Sequence, residues 1–200
     1  MFARFALGGS MSTFLVIVLV VLGLIGLVIL WAILIYNRLV AKRQRTEEGW
    51  SGIDVQLKRR SNLIPNLIET VKGYAAHEKE TLDRVTAMRA RADRAPADAP
   101  AERAKAESAL SGALVQLFAV AENYPDLKAS ANFQELQHTL ADIEDQIQMA
   151  RRYYNGAVRE LNILVDSFPS NLVASRYDFK KAVYFEIEDP ADKALPKVEF

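Results

Sequence analysis

The sequence predicts an all-α protein: a single N-terminal transmembrane helix, then an antiparallel up-down-up-down helical bundle with long first and last helices. Three observations carry this. Residues 14–36 are apolar without a charge, apolar residues beyond them recur at alternating steps of three and four, and the stripes are separated by short breaks that hold proline or glycine. The divisions expected are a short arm (1–13), the transmembrane helix (14–36), the bundle (37–168) and a C-terminal tail with a short extended segment (169–200).

Composition narrows the function classes. Of 200 residues, half are hydrophobic, enough for one anchored domain with a sizeable core, and 25 basic residues balance 25 acidic ones, which gives no reason to expect nucleic acid. The chain has no cysteine, so disulfides and thiol chemistry are excluded.

The run FLVIVLVVLGLIGLVILWAILIY, Phe14 to Tyr36, would span about 34 Å as a helix, enough to cross a bilayer. A cleaved signal peptide fits less well: the run is too long, only Arg4 precedes it, and no small-x-small cleavage site follows. Trp31 and Tyr36 close the run, where amphipathic rings favour the headgroup level. Gly23 and Gly26 are three apart, not the four of a close-packing dimer motif. After the span, Arg38, Lys42, Arg43 and Arg45 occur before the first acid, Glu47. This asymmetry predicts a bundle on the cytoplasmic side of a bacterial inner membrane, and starting translation at Met11 would sharpen it by removing Arg4. The four cations are candidate membrane-surface residues.

The first bundle helix carries the stripe Trp50, Ile53, Leu57, Arg60, Ile64, Leu67, Val71 and Tyr74, a heptad pattern of coiled-coil type with one charged member. Pro65 lies inside it, so the helix either kinks there or restarts with Asn62 as its cap. Gly73 ends or loosens the helix. A second helix begins around His77 to Glu80 and carries a weaker stripe through Leu82, Val85 and Met88 or Arg89 until DRAPADAPA breaks it. The third, about 100–123, is alanine-rich with Leu110, Ala113, Leu114, Leu117, Phe118 and Ala121 on one face, and stops at NYPDL. The fourth keeps its stripe from Phe133 through Leu136, Leu140, Ile143, Ile147, Ala150, Tyr154, Ala157, Leu161 and Leu164 to Phe168, before Pro169. In the tail, AVYFEIED alternates like a short extended segment and is expected to pack loosely.

One short stretch invites a metal reading. GYAAHEKET contains His77-Glu78, the opening of a zinc-peptidase helix, but the second histidine required four residues on is Thr81. The other histidine is His138, in LQHTL. No metal or cofactor is expected.

The run YNRLVAKRQRTEEGWSGIDVQLKRRSNLIPNLIETVKGYAAHE (36–78) resembles the LemA family, and the likeness continues in NYPDLKAS, NFQEL, RRYYNGAVRELN and FPSNLVA. It covers nearly all the chain outside the span. The resemblance implies a membrane-anchored antiparallel helical bundle in bacteria without an established enzymatic activity. Associations it implies are with membrane proteases and with membrane-shaping proteins of magnetosomes, and it supplies no catalytic residues.

Read on their own chemistry, the motif residues Asp54, Lys58, Arg59, Asn62, Asn66, Arg151, Arg152 and Asn155 form no serine-histidine-acid set and no phosphate-binding glycine loop. Solvated charge and pairing between helices explain them, and Tyr153 and Tyr154 suit core and rim. Arg60 is the exception, because a charge on a core stripe needs a partner. If the long helices run antiparallel, position 60 lies level with about 145, so Glu144 or Asp145 is the expected partner, unless the side chain reaches solvent past the core. The expected function is a non-enzymatic interaction or scaffold protein meeting the lipid bilayer and an unidentified protein partner, such as a membrane protease, or a second copy in a homo-oligomer. The rival is a ligand-binding regulator, or an enzyme whose polar pocket forms only on assembly.

Overall fold

A computed structural model describes residues 5–186 of the chain, with side chains from Thr13 onward. Six helices follow one another: α1 (Phe5–Tyr74), α2 (Lys79–Arg94), α3 (Pro100–Ala121), α4 (Pro125–Lys128), α5 (Ala131–Asp166) and α6 (Ser170–Arg176). Among the described residues there is no strand.

The apolar run and the first amphipathic stripe are one helix. At 1.5 Å per residue, the 70 residues of α1 extend about 105 Å, far longer than any single core requires. Helix already begins at Phe5, inside the stretch expected to be a separate arm. Pro65 neither breaks nor restarts it. Proline costs a helix interior about 3 kcal/mol, and the flanking Ile64 and Leu67, both fully buried, offset this at about 1.5–3 kcal/mol each.

From Thr13 to Leu30, α1 has no protein around it. Its most apolar window is wholly uncovered, whereas the core helix of a water-soluble body would be mostly buried, so this segment is long and apolar enough to cross a membrane and is not spent on the core. From Leu39 onward α1 lies along α5, and the two run antiparallel. Leu39 shares a cluster with Leu161, Gly49 touches Tyr154, and Arg60 reaches Glu144, so numbers rise on one helix as they fall on the other. At Gly49 the helices approach closely: a Cβ there would lie 3.1 Å from the Tyr154 Cα and 3.2 Å from the Tyr153 ring.

Helices α2 and α3 pair with each other. The core falls into three zones. Around the tip, Ile64, Leu67 and Val71 meet Val85, Leu110, Leu117, Leu127 and Phe133. In the middle, Ile53 and Leu57 meet Ile147, Tyr154 and Phe185, and at the base Leu39 and Leu161 meet Val173, Ala174 and Phe179.

Several expectations shift. Helix α2 starts at Lys79, leaving His77 in the preceding turn, and α3 stops at Ala121 with the one-turn α4 after it. The last long helix ends at Asp166, and Phe168, read as the end of its core stripe, is exposed. The tail holds α6, which the sequence did not announce. Residues 179–186 are irregular but not loosely packed: Phe185 is fully buried and, with Trp50 and Tyr154, forms an aromatic cluster with ring centroids 5.5 Å apart. Residues 187–189, the end of AVYFEIED, and the rest of the tail to residue 200 lie outside the described residues.

Candidate functional site: a buried ion cluster and the helix base

The heptad stripe brings Arg60 into the core, and the antiparallel register decides what it meets. Its Nη1 donates to Glu144 Oε2 at 2.7 Å and to Ser111 Oγ at 2.9 Å, while Nη2 donates to Glu107 Oε2 at 2.6 Å. Glu107 is buried as deeply as Arg60 and also accepts from Arg103 Nε at 2.8 Å. Arg103 in turn faces Asp54 at 3.8 Å, and Asp54 accepts from Lys58 at 2.6 Å at the rim. The result is an alternating line of charge across α1, α3 and α5, with only Arg60 Nε left without a partner. Asp145, the other carboxylate weighed for Arg60, points to solvent.

These groups are turned on one another. A buried ion cluster adds little net stability over apolar packing, but it penalises any sliding of one helix past another, because a shifted register leaves a charge unpaired in the core. Glu107 and Arg103 were missed in the sequence, although a signal existed. Extending the α3 stripe backwards from Leu117, Leu114 and Leu110 by the same alternation lands on Glu107 and then Arg103.

At the helix base the four cations after the span have different fates. Lys42 pairs with Glu160 and Arg45 reaches the same carboxylate at 4.0 Å. The Lys42 ammonium, hydrogen-bonded to Glu160, holds that carboxyl below its ordinary range. Arg43 sits over the Phe179 ring and 3.9 Å from Glu47. Arg38 is exposed with no carboxylate beside it among the described residues.

The segment after α6 is tied to α5 by asparagine side chains acting as a strand partner would. Asn155 Nδ2 donates to the Phe185 carbonyl at 3.1 Å while its Oδ1 accepts the Phe185 N–H at 2.9 Å. Seven residues on, Asn162 repeats the arrangement with Ala182, at 3.0 and 2.8 Å. Between them the Tyr154 hydroxyl donates to the Val183 carbonyl at 2.7 Å, and burial pushes its pKa up to about 12. Beside this strap a cavity of about 510 Å³ opens, lined by Arg151, Arg152, Asn155, Arg159, Tyr184 and Glu186.

His77 is exposed in the α1–α2 turn, and Glu78 accepts a hydrogen bond from Tyr124 at 2.9 Å, which raises the Tyr124 pKa. His138 faces Asp142 at 3.1 Å on an exposed surface. Among the described residues no three potential metal ligands converge.

Comparison with known proteins gives consistent matches. The LemA family pattern matches residues 49–200. Magnetosome protein MamQ 2 of Paramagnetospirillum magneticum is 27% identical over 180 residues, covering 78% of this chain and 66% of its own. Protein LemA of Metamycoplasma hominis is 28% identical over 155 residues, covering 76% and 69%. Magnetosome protein MamQ of Magnetospirillum gryphiswaldense is 24% identical over 180 residues, covering 78% and 66%. The chain spans just under two thirds of the length of these magnetosome relatives.

Proposed function

The chain belongs to the LemA family, and from that premise we propose that it is a non-enzymatic, single-pass protein of the bacterial inner membrane that holds a helical body on the cytoplasmic side for other proteins to bind. The body is an up-down-up-down bundle. Its partners are a membrane protein, with a protease as the class the family resemblance implies, or a second copy of this chain. The observation that supports the reading is α1: one helix contains both the uncovered apolar stretch and the core of the body, so the body cannot turn freely relative to the bilayer. The ion cluster supports it too, since its charges are committed to fixing helix register.

Val55 on α1 and Met149 on α5 are exposed apolar residues of the body and are the contact positions this reading picks out. Photo-crosslinking residues placed there in intact cells test the reading. Adducts of a defined protein mass, or of twice the chain, are expected. Labelling of the apolar span by lipid with no protein adduct from either body position would contradict an interaction role. Orientation is tested separately: a C-terminal fluorescent-protein fusion is expected to glow and an alkaline phosphatase fusion to be inactive, and the reverse pattern would place the body outside.

A second reading has one observation in its favour. The arginine-lined cavity beside the strap suits a small anionic ligand, which would make the chain a ligand-binding regulator. Calorimetric titration with inorganic phosphate and dicarboxylates tests it, and saturable binding lost on Arg159→Gln is the result that would favour it.

A further inference from the structure

Phe168, on the short link between α5 and α6, is 80% exposed, more than any of the large apolar side chains from Phe14 to Leu34, where the values reach 67%. Leu172 on α6 and Tyr177 just after it, at 59% and 57%, are as uncovered as the span itself. In water, three large apolar side chains so close together would form a costly patch.

Their position matters as much as their exposure. The opposite face of α6 is buried: Val173 and Ala174 pack with Leu39 and Leu161, and Trp31, Ala32 and Ile35 lie against that cluster. The Tyr177 ring meets Tyr36 edge-on at 4.9 Å, and Tyr177 shares an apolar recess with Ile29, Ala32, Ile33 and Tyr36. Helix α6 is therefore docked where the apolar run ends, on its last two turns and on Leu39 just beyond them. A bilayer that takes residues 14–36, about 34 Å of helix against about 30 Å of hydrocarbon, reaches α6 as well. Arg38, two residues beyond Tyr36, and Arg176, next to Tyr177, have no carboxylate partner among the described residues, and Arg176 lies 5.6 Å over the Tyr177 ring.

We infer that α6, with Phe168 before it and Tyr177 after it, is a second membrane contact that enters the interfacial layer of the leaflet through which α1 leaves. Phe168 and Leu172 point into the boundary between headgroups and acyl chains, Tyr177 and Tyr36 occupy the amphipathic belt, and Arg38 and Arg176 face anionic headgroups. The last buried turn of the protein is thus completed by lipid. The inference rests on the reading of α1 as a span.

The chain contains no cysteine, so single spin labels can be placed in the full-length protein without other changes. Leu24→Cys, Phe168→Cys, Leu172→Cys and Val115→Cys are each labelled and reconstituted in vesicles of phosphatidylethanolamine and phosphatidylglycerol. Collisions with oxygen and with a water-soluble nickel chelate are then compared. Positions 168 and 172 are expected to be oxygen-rich and nickel-poor, shallower than position 24, while position 115, an exposed valine on α3, is nickel-accessible. If 24 reads as lipid while 168 and 172 read as water, the second contact is wrong and the span stands. If 24 itself reads as water, the span fails and the inference with it. In vesicles of phosphatidylcholine alone, labels at 168 and 172 are expected to move outward, and an unchanged depth would overturn the part assigned to Arg38 and Arg176.

Discussion

Arg60 and Glu107 lie almost wholly out of water, at 1% and 2% exposure, with Nη2 and Oε2 2.6 Å apart. Glu107 is the hinge of the cluster, because Arg103 also depends on it. Glu107→Ala takes from Arg60 its most buried carboxylate and leaves Arg103 with Asp54 alone at 3.8 Å, and is expected to cost about 3–5 kcal/mol. Arg60→Ala leaves Glu107 still paired with Arg103 and should cost less, and Arg60→Leu, which refills the space, less again. Urea unfolding in detergent, followed by circular dichroism, measures the order. Equal effects for Glu107→Ala and Arg60→Ala would mean the charges do not act as a cluster.

Gly49→Ala is expected to destabilise by about 1–3 kcal/mol. The added methyl meets backbone at 3.1 Å, and backbone cannot swing aside as a long side chain could, so α1 and α5 must separate. Gly52→Ala, on the same helix with nothing within 4 Å, is the control and should be neutral or slightly stabilising through helix propensity.

The asparagine strap can be released without touching the helices. Asn155→Ala and Asn162→Ala each remove two hydrogen bonds, so amide exchange at Phe185 and at Ala182, respectively, should speed up by at least tenfold while α5 stays protected. Unchanged exchange would mean Phe185 burial alone holds the segment.

Two groups set opposite limits in pH. Tyr154 has its folded pKa raised to about 12 from an ordinary value near 10, so the neutral hydroxyl's contribution is intact below about pH 10 and is lost as pH rises toward 12. Tyr154→Phe should flatten that alkaline loss, and the late part of the tyrosinate absorbance titration should shrink by one tyrosine. Glu160 is shifted the other way, lowered by Lys42, so its tie is present above the ordinary carboxylate range and fades as pH falls through its folded value. Glu160→Gln should remove that acid-side step and leave the alkaline one unchanged.

What the sequence made legible follows physical range. The span and the stripes of α1 and α5 are written in periodic apolar residues, and Arg60 stood out because it interrupted a stripe. Glu107 did not, because alanines around it dilute the apolar contrast of α3 and leave its stripe faint at that end. The continuity of α1 was hidden by Pro65, whose local cost is overcome by tertiary packing on Ile64 and Leu67. The strap was least visible. The alternation in AVYFEIED was read as an extended segment, but residues 182–186 are irregular and held by the side chains of Asn155 and Asn162, which carry no hydrophobic signature. Phe168 was misread for a related reason, since an apolar residue on a stripe looks the same whether protein or lipid covers it.

The continuity of α1 between its uncovered apolar stretch and the body underlies everything proposed for the chain, and a distance tests it. Spin labels at Val28→Cys and Val55→Cys, both exposed and 27 residues apart on α1, should lie about 40 Å apart along an unbroken helix. Pulsed dipolar spectroscopy on the full-length protein in vesicles is expected to give one narrow distribution near that value. A broad distribution, or a peak well below it, would mean the chain bends between membrane and body, and the rigid display of the body from the bilayer would be wrong.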